Sequence, residues 1–402
     1  MRATLILSLV LMLLLGYWFW PQQKMTHSVL VVGALSGVLA NRDAAMLSQL
    51  QSGLKQLAAD EGVPLQLHIV DSQLPSAQLT ERVSQVLEQG IHTVMGCGDS
   101  SCVRTLLPLL QQYDAILLYP GSSEGLMDSQ RLVSLGPVAN QYLFPAVSWI
   151  RQNLGQRLMF IGSESARSHM LHRLMHDQLL VSGGLELVSS EFVQQSSELG
   201  SLVDKVGDYK PDVILFDACE WYDDAAFISG LTKSGPRFFS LCADQLPPEG
   251  TELYYISSYF DNEHNQENRR LRQEIGPLSP LTVNVQWMLT MWGNGLKQGQ
   301  LSDLTLWQAY LGSHNDLTAS GPVMIDQHFQ GSWRSMYIAQ QVKGGQQGKS
   351  SQQKLLWLSE SMLRPVMYPG LESPSDWKHH LTIFWRNAGG QWRTAMLGGE
   401  EA

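Results

Sequence analysis

The chain alternates short valine- and leucine-rich runs with stretches of helical periodicity, and the whole pattern is played twice. Residues 27–35 (HSVLVVGAL) are apolar at almost every position, as expected of a strand covered on both faces. Residues 41–60 then set Ala44, Leu47, Leu50, Leu54 and Leu57 at helical spacing. Further strands are expected over 62–70, 92–97, 114–120 and 131–137, with helices over 79–89 and 101–112. The pattern restarts with a helix over 142–153. Strands over 157–163, 185–193, 212–218, 237–243 and 254–260 follow, with helices over 168–181, 199–206 and 225–231 between them. Strands separated by helices predict an α/β fold with mostly parallel sheets covered on both faces. Two such runs predict two doubly wound lobes facing each other across a cleft, with the chain crossing between them more than once. The crossings are expected near 136–141 and near 257. Lobe 1 is therefore expected to comprise 28–136 plus 258–300, whose helices at 267–275 and 283–296 return to it. Lobe 2 comprises 137–257 plus 301–370, completed by the strand pair around GPVMID and SWRSMYIAQ. The polar stretch 344–353 reads as a hairpin loop, and 371–402 as a C-terminal tail.

Composition matters here for what it excludes. Lys plus Arg number 27 and Asp plus Glu 37, so the net charge is 27 − 37 = −10, which argues against a nucleic-acid partner. Residues 1–27 read as a signal peptide or an uncleaved membrane anchor, since 4–20 carry no charge and follow Arg2. The run ends in Tyr17, Trp18, Phe19 and Trp20, which suit a bilayer interface better than a peptidase site, and the anchor is the expectation. Either way, the remainder is expected outside the inner membrane, in the periplasm. No cysteine stands near the end of this run to carry a lipid.

No G-x-S-x-G elbow, phosphate-binding lysine loop or H-E-x-x-H occurs, so no catalytic residue is assigned, the chain is not expected to be an enzyme, and no cofactor is implied. His169, His172 and His176 share a helix at spacings of three and four, yet lack a neighbouring carboxylate or cysteine ligand, and no metal site is assigned. Cys97 and Cys102 are close enough in sequence for a bridge, while Cys219 and Cys242 each close a strand. Disulfides and buried thiols both remain open.

In parallel α/β sheets ligands bind beyond the carboxyl ends of strands. Four corners of that kind are rich in small polar residues: 96–101 (GCGDSS), 119–125 (YPGSSEG), 162–167 (GSESAR) and 217–221 (DACEW). From the last of these, Asp217 is a candidate ligand-binding residue.

These corners, together with GPVANQ at 136–141, the strand in GPVMIDQHFQGSWRSMYIAQ and the tail RPVMYPGLESPSDW, resemble the type I periplasmic binding proteins. The branch they resemble contains the amide-sensing regulator of amidase operons and the urea-binding component of urea transporters. The likeness covers nearly all of the chain after about residue 28. It implies a small polar ligand, urea-, amide- or amino-acid-like, gripped between lobes. It also implies a partner at the membrane, either the permease of an ABC transporter or a sensor such as a histidine kinase. Carried over by position, Ser100 matches a serine that hydrogen-bonds the ligand, and Tyr119 a tyrosine lining the pocket. Gly121 and Ser123 stand where the family has larger polar groups and tyrosine, and Glu164-Ser165 where it has Asp-Tyr. These exchanges imply a roomier, more polar pocket, to which Glu164 and Arg167 add charge.

Overall fold

The computed structural model describes residues 26–127, 129–261, 264–342, 352–369, 374–387, 389–390 and 392. The apolar run 4–20 and most of the loop 344–353 lie outside the described residues. Among the described residues no helix is long and apolar enough to cross a membrane.

The first lobe is built on β1 (His27–Gly33), β2 (Leu65–Asp71), β3 (Thr93–Gly96), β4 (Ile116–Tyr119) and β5 (Leu132–Ser134). All pair in parallel, in the order β2-β1-β3-β4-β5. Successive side chains of a strand point to opposite faces, and here both faces are covered. Val29 and Val31 meet Leu47, Leu50 and Leu54 of α1 (Ala40–Asp60) on one side. Leu30 and Val32 meet Leu79 and Val83 of α2 (Ser76–Leu87), and Val103 and Leu106 of α3 (Ser100–Gln112), on the other. Asp99 caps α3, its Oδ1 accepting from Ser101 N at 2.8 Å and Cys102 N at 3.0 Å.

The second lobe uses the same device around α4 (Ala139–Asn153) and α5 (Ala166–Ser182) on one face. Its strands are β6 (Arg157–Ser163), β7 (Glu186–Val193), β8 (Val213–Asp217), β9 (Arg237–Ser240) and β10 (Leu253–Ser257). Helices α6 (Leu199–Tyr209) and α7 (Ala225–Thr232) cover the other face. Leu158 and Phe160 of β6 turn to the first pair, Met159 and Ile161 to the second.

The chain then passes through α8 (Gln266–Ile275) to α9 (Pro280–Lys297), where Trp287, Met288 and Trp292 join the core of the first lobe. Helix α10 (Leu304–Gly312) and the strands β11 (Asn315–Thr318), β12 (Gly321–Ile325) and β13 (Ser332–Trp333) come next. This segment corrects the expected division of the chain. Residues 301–370 were assigned to lobe 2, yet Trp307, Leu311, Val323 and Ile325 are packed in the core of the first lobe. The three strands form a small antiparallel sheet of their own. Only β14 (Tyr337–Val342) and β15 (Gln352–Leu358) enter the second sheet, both antiparallel to their neighbours. The reason is physical: alternating apolar residues specify a buried face and not which lobe supplies it.

Among the described residues the chain therefore crosses between lobes at 135–138, between β10 and α8, and at 334–336. Arg334, 1% exposed, ties two of these crossings to α9. It donates to the Leu135 carbonyl, to Ser332 Oγ at 2.9 Å and to Asn284 Oδ1 at 3.2 Å. Beyond β15 the chain touches both lobes. Tyr368 N donates to Gly125 O at 2.7 Å in the first lobe. Leu381 and Phe384 of α11 (Pro374–Asn387) pack against the second lobe. The Trp392 ring lies 5.3 Å from the Arg104 guanidinium on α3.

Candidate ligand-binding cleft

The carboxyl ends of both sheets point at each other, and the lobes touch through their corner loops. Ser122, after β4, donates from both N and Oγ to Asp244 Oδ2, each at 2.7 Å. Arg167, in the first turn of α5, donates through Nη1 to Ser122 Oγ at 2.7 Å and to its carbonyl at 3.2 Å. Tyr142 on α4 donates to Ser123 O at 3.1 Å. These bonds close the cleft around a cavity of about 30 Å³. The first lobe lines it with Arg42, Gly98, Asp99 and Ser122. The second lobe supplies Arg167, Cys219, Glu220, Cys242, Asp244 and Gln245.

Charge is concentrated here. Arg42 pairs with Asp43 at 2.9 Å, and Asp43 also accepts from Ala34 N at 2.9 Å. Arg167 pairs with Asp217 at 3.2 Å and lies over the Tyr142 ring at 5.5 Å. Burial works against the Arg167 charge, but Tyr142, Asp217 and Asp244 together hold its pKa above the ordinary arginine range. Burial raises the Asp217 and Glu220 carboxyls above their usual values. Several buried polar atoms at the cleft have no hydrogen-bond partner among the described residues: Ser100 Oγ, Glu220 Oε2, Asp244 Oδ1 and Gln245 Oε1. Groups left so in a folded protein are where a ligand is expected to supply the missing bonds.

Both lobes carry a disulfide at the cleft. Cys97–Cys102 spans 5.6 Å between Cα atoms and fastens the end of β3 to the first turn of α3. Cys219–Cys242 spans 5.4 Å and fastens the corner after β8 to the one after β9. The second bridge holds Glu220 beside Asp244 and Gln245, whose Nε2 donates to Cys219 O at 3.3 Å. It was not anticipated from the sequence, where the two cysteines stand 23 residues apart.

All four corners named from the sequence supply lining residues, Gly98, Asp99, Ser122, Arg167, Cys219 and Glu220, while the candidate residues singled out within them stand beside the cavity. Ser100 lies just past the lining, 1% exposed. Tyr119 is buried within the first lobe and donates from its hydroxyl to Ser122 O at 2.7 Å, holding the turn. A Cβ on Gly121 would meet that hydroxyl at 2.7 Å. Ser123 holds the turn, its N donating to Pro137 O at 3.0 Å and its Oγ accepting from Gly125 N at 3.4 Å. Glu164 turns to His169 Nε2 at 2.8 Å, and Ser165 caps α5 by accepting from Ser168 N at 3.3 Å. Asp217 stands behind Arg167 and accepts from Ser168 Oγ at 2.6 Å. Ser122 and Glu220 lie in corners named from the sequence without being singled out there, and Arg42, Asp244 and Gln245 lie outside those corners. The strand-end rule reaches Asp244 and Gln245, which directly follow the β9 segment, whereas nothing in the sequence marks Arg42. The histidine row does not converge on one point: His169 stacks on Phe192 at 4.0 Å, and His172 Nε2 meets Ser190 Oγ at 2.8 Å.

Residues 28–221 match the family model described as periplasmic binding protein domain. Solved structures superpose over most of the chain. One is the solute-binding protein of an ABC transporter from Rhodopseudomonas palustris BisB5 in complex with 3,4-dihydroxybenzoic acid. It is 15% identical, with a TM-score of 0.72, covering 85% of this chain and 99% of that one. Another is the leucine-, isoleucine-, valine-, threonine- and alanine-binding protein from Brucella ovis in a closed conformation. It is 14% identical, with a TM-score of 0.69, covering 87% and 100%. A third is the substrate-binding protein of an amino acid ABC transporter from Pseudomonas fluorescens Pf-5, at 13% identity and a TM-score of 0.69, covering 87% and 99%. At such identities the likeness is one of fold: the chain has the two-lobed type I periplasmic-binding-protein architecture.

Proposed function

We propose that this chain is a solute-binding protein that closes its lobes on a small polar molecule outside the inner membrane and presents it to the permease of an ABC transporter. One observation carries the reading: buried polar atoms of the cavity wall, Glu220, Asp244 and Gln245 from the second lobe and Arg42 Nη2 from the first, lack hydrogen-bond partners among the described residues. A solute touching both lobes stabilises the closed form only, so binding shifts the population toward closure, and a membrane partner reads the closed surface.

The cavity restricts the solute. A volume of about 30 Å³ suits a molecule of urea or short-amide size. An aromatic acid such as the one held by the Rhodopseudomonas protein requires the corners to part. Thermal unfolding across a panel of small polar solutes tests the proposal. A true solute at a hundredfold its Kd stabilises the chain by about 2.7 kcal/mol. A panel of small amides, amines and amino acids that leaves the midpoint unchanged would remove this reading. The aromatic end of the run 4–20 favours a second reading, an anchored module that reports the solute to a histidine kinase. Co-purification from membranes with a kinase in place of a permease would select it.

A further inference from the structure

We infer that the solute this cleft selects is a compact organic cation carrying its charge on N–H groups, with guanidinium as the type; the inference rests on the solute-capture reading above. The first support is the charge count. Arg42 and Arg167 face Asp43, Asp99, Asp217, Glu220 and Asp244, so the formal charges at and just behind the cavity wall sum to 2 − 5 = −3. Each arginine is already engaged by a carboxylate, Arg42 by Asp43 and Arg167 by Asp217. Asp99 is occupied in capping α3. Among the described residues neither Glu220 nor Asp244 forms an ion pair, Asp244 acting on Arg167 and Arg42 only at longer range.

The second support is the identity of the orphaned atoms. Asp244 is 9% exposed and Gln245 7%, and both line the cavity. Asp244 Oδ1, Gln245 Oε1 and Glu220 Oε2 are acceptors without a donor, whereas the one orphaned donor on the lining among the described residues, Arg42 Nη2, already lies 2.9 Å from the Asp43 carboxylate. A carboxylate ligand would bring further acceptors to this wall and add like charge to it. An N–H-rich cation brings donors and supplies the absent counter-charge together, and charge-assisted hydrogen bonds are the stronger kind. Carboxylate oxygens left without a donor weaken the closed form, so a cation that satisfies them couples its own capture to the closing of the lobes.

The third support is size. At roughly 10–15 Å³ per water, the cavity matches two or three waters, close to a planar cation of four heavy atoms. Urea has the same shape without the charge and with fewer donors, which makes it the decisive comparison.

The test uses the full chain with both disulfides formed. Calorimetric titration and thermal unfolding are run with guanidinium chloride at millimolar concentration, methylammonium, urea, acetamide and benzoate, with sodium chloride at matched ionic strength. Guanidinium is expected to bind at least tenfold more tightly than urea and to raise the unfolding midpoint where sodium does not. Glu220→Gln and Asp244→Asn are each expected to lower the preference for guanidinium over urea at least tenfold. Glu220→Gln removes only a charge and keeps the shape, so it remains informative if Asp244→Asn fails to fold. Tighter binding of urea, acetamide or benzoate overturns the cation assignment and leaves solute capture standing. Stabilisation by guanidinium no greater than by sodium also overturns it. If no compound of any charge binds, both readings fall.

Discussion

Gly98 is glycine because of what lies beside it. A Cβ there would sit 2.3 Å from Asp43 Oδ1 and 2.4 Å from Arg42 Nη2, displacing an ion pair in the cleft wall. Gly98→Ala is therefore expected to lower stability by about 1–3 kcal/mol, as overpacking does, and to weaken solute binding at least tenfold. Denaturant unfolding with titration checks both, and a variant matching the parent in each would mean the pair yields freely. Glu220 behaves in the opposite sense. Burial raises its carboxyl above the ordinary 4.5, with Asp217 adding to the rise and Arg42 opposing it. A raised folded-state value means the folded chain binds the proton more tightly than the unfolded one. Solute-free stability from this group thus grows as pH falls from the raised value toward 4.5 and is lost as pH climbs back. Affinity for a cation moves the other way, since protonation removes the acceptor charge. Glu220→Gln should raise the solute-free unfolding midpoint at neutral pH by roughly 1–3 °C and flatten both dependences. Midpoints that fall in the variant would contradict this account.

At the scale of elements, the cleft depends on loops fastened to rigid strands. The Cys219–Cys242 bridge closes a loop of about two dozen residues, and removing it by paired serine substitution is expected to lower stability by about 3 kcal/mol. The loss should fall on the second lobe, with amide exchange rising around 218–224 and 241–245 while β1 and β3 stay protected. Uniform loosening of both lobes would show that the bridge acts on the whole fold. These two loops also show where the sequence stops being readable. Strands such as β1 and β6 were legible because covering both faces demands an unbroken apolar run. The corners were legible because strand ends are where parallel sheets bind. Which residue of a corner meets the solute was not, since turn geometry selects Ser122 over Gly121 and Ser123. Nor does sequence pair cysteines, or tell the alternation of Val323 and Ile325 which lobe will cover it.

For the molecule as a whole, the balance between open and closed forms passes through the crossing segments. Arg334 joins Leu135, Ser332 and Asn284, while Asn284 also donates to Pro120 O at 2.8 Å, so the hinge and the Ser122 corner share one network. Arg334→Met strands those acceptors and is expected to reduce stability by roughly 2–4 kcal/mol. It should also enlarge the solute-free radius of gyration measured by solution scattering, and an unchanged radius would separate the hinge from the closure equilibrium. The stretch after β15 spans this same motion: Leu381 and Phe384 pack on the second jaw, while Tyr368 and Trp392 touch both, packing on the second and reaching Gly125 and Arg104 of the first. For the jaws to gape, one of those attachments has to peel away. Residence time, more than affinity at rest, is then what this strap governs. An affinity tag fused at the C-terminus would change how quickly cargo comes and goes, while one placed at the other end would not.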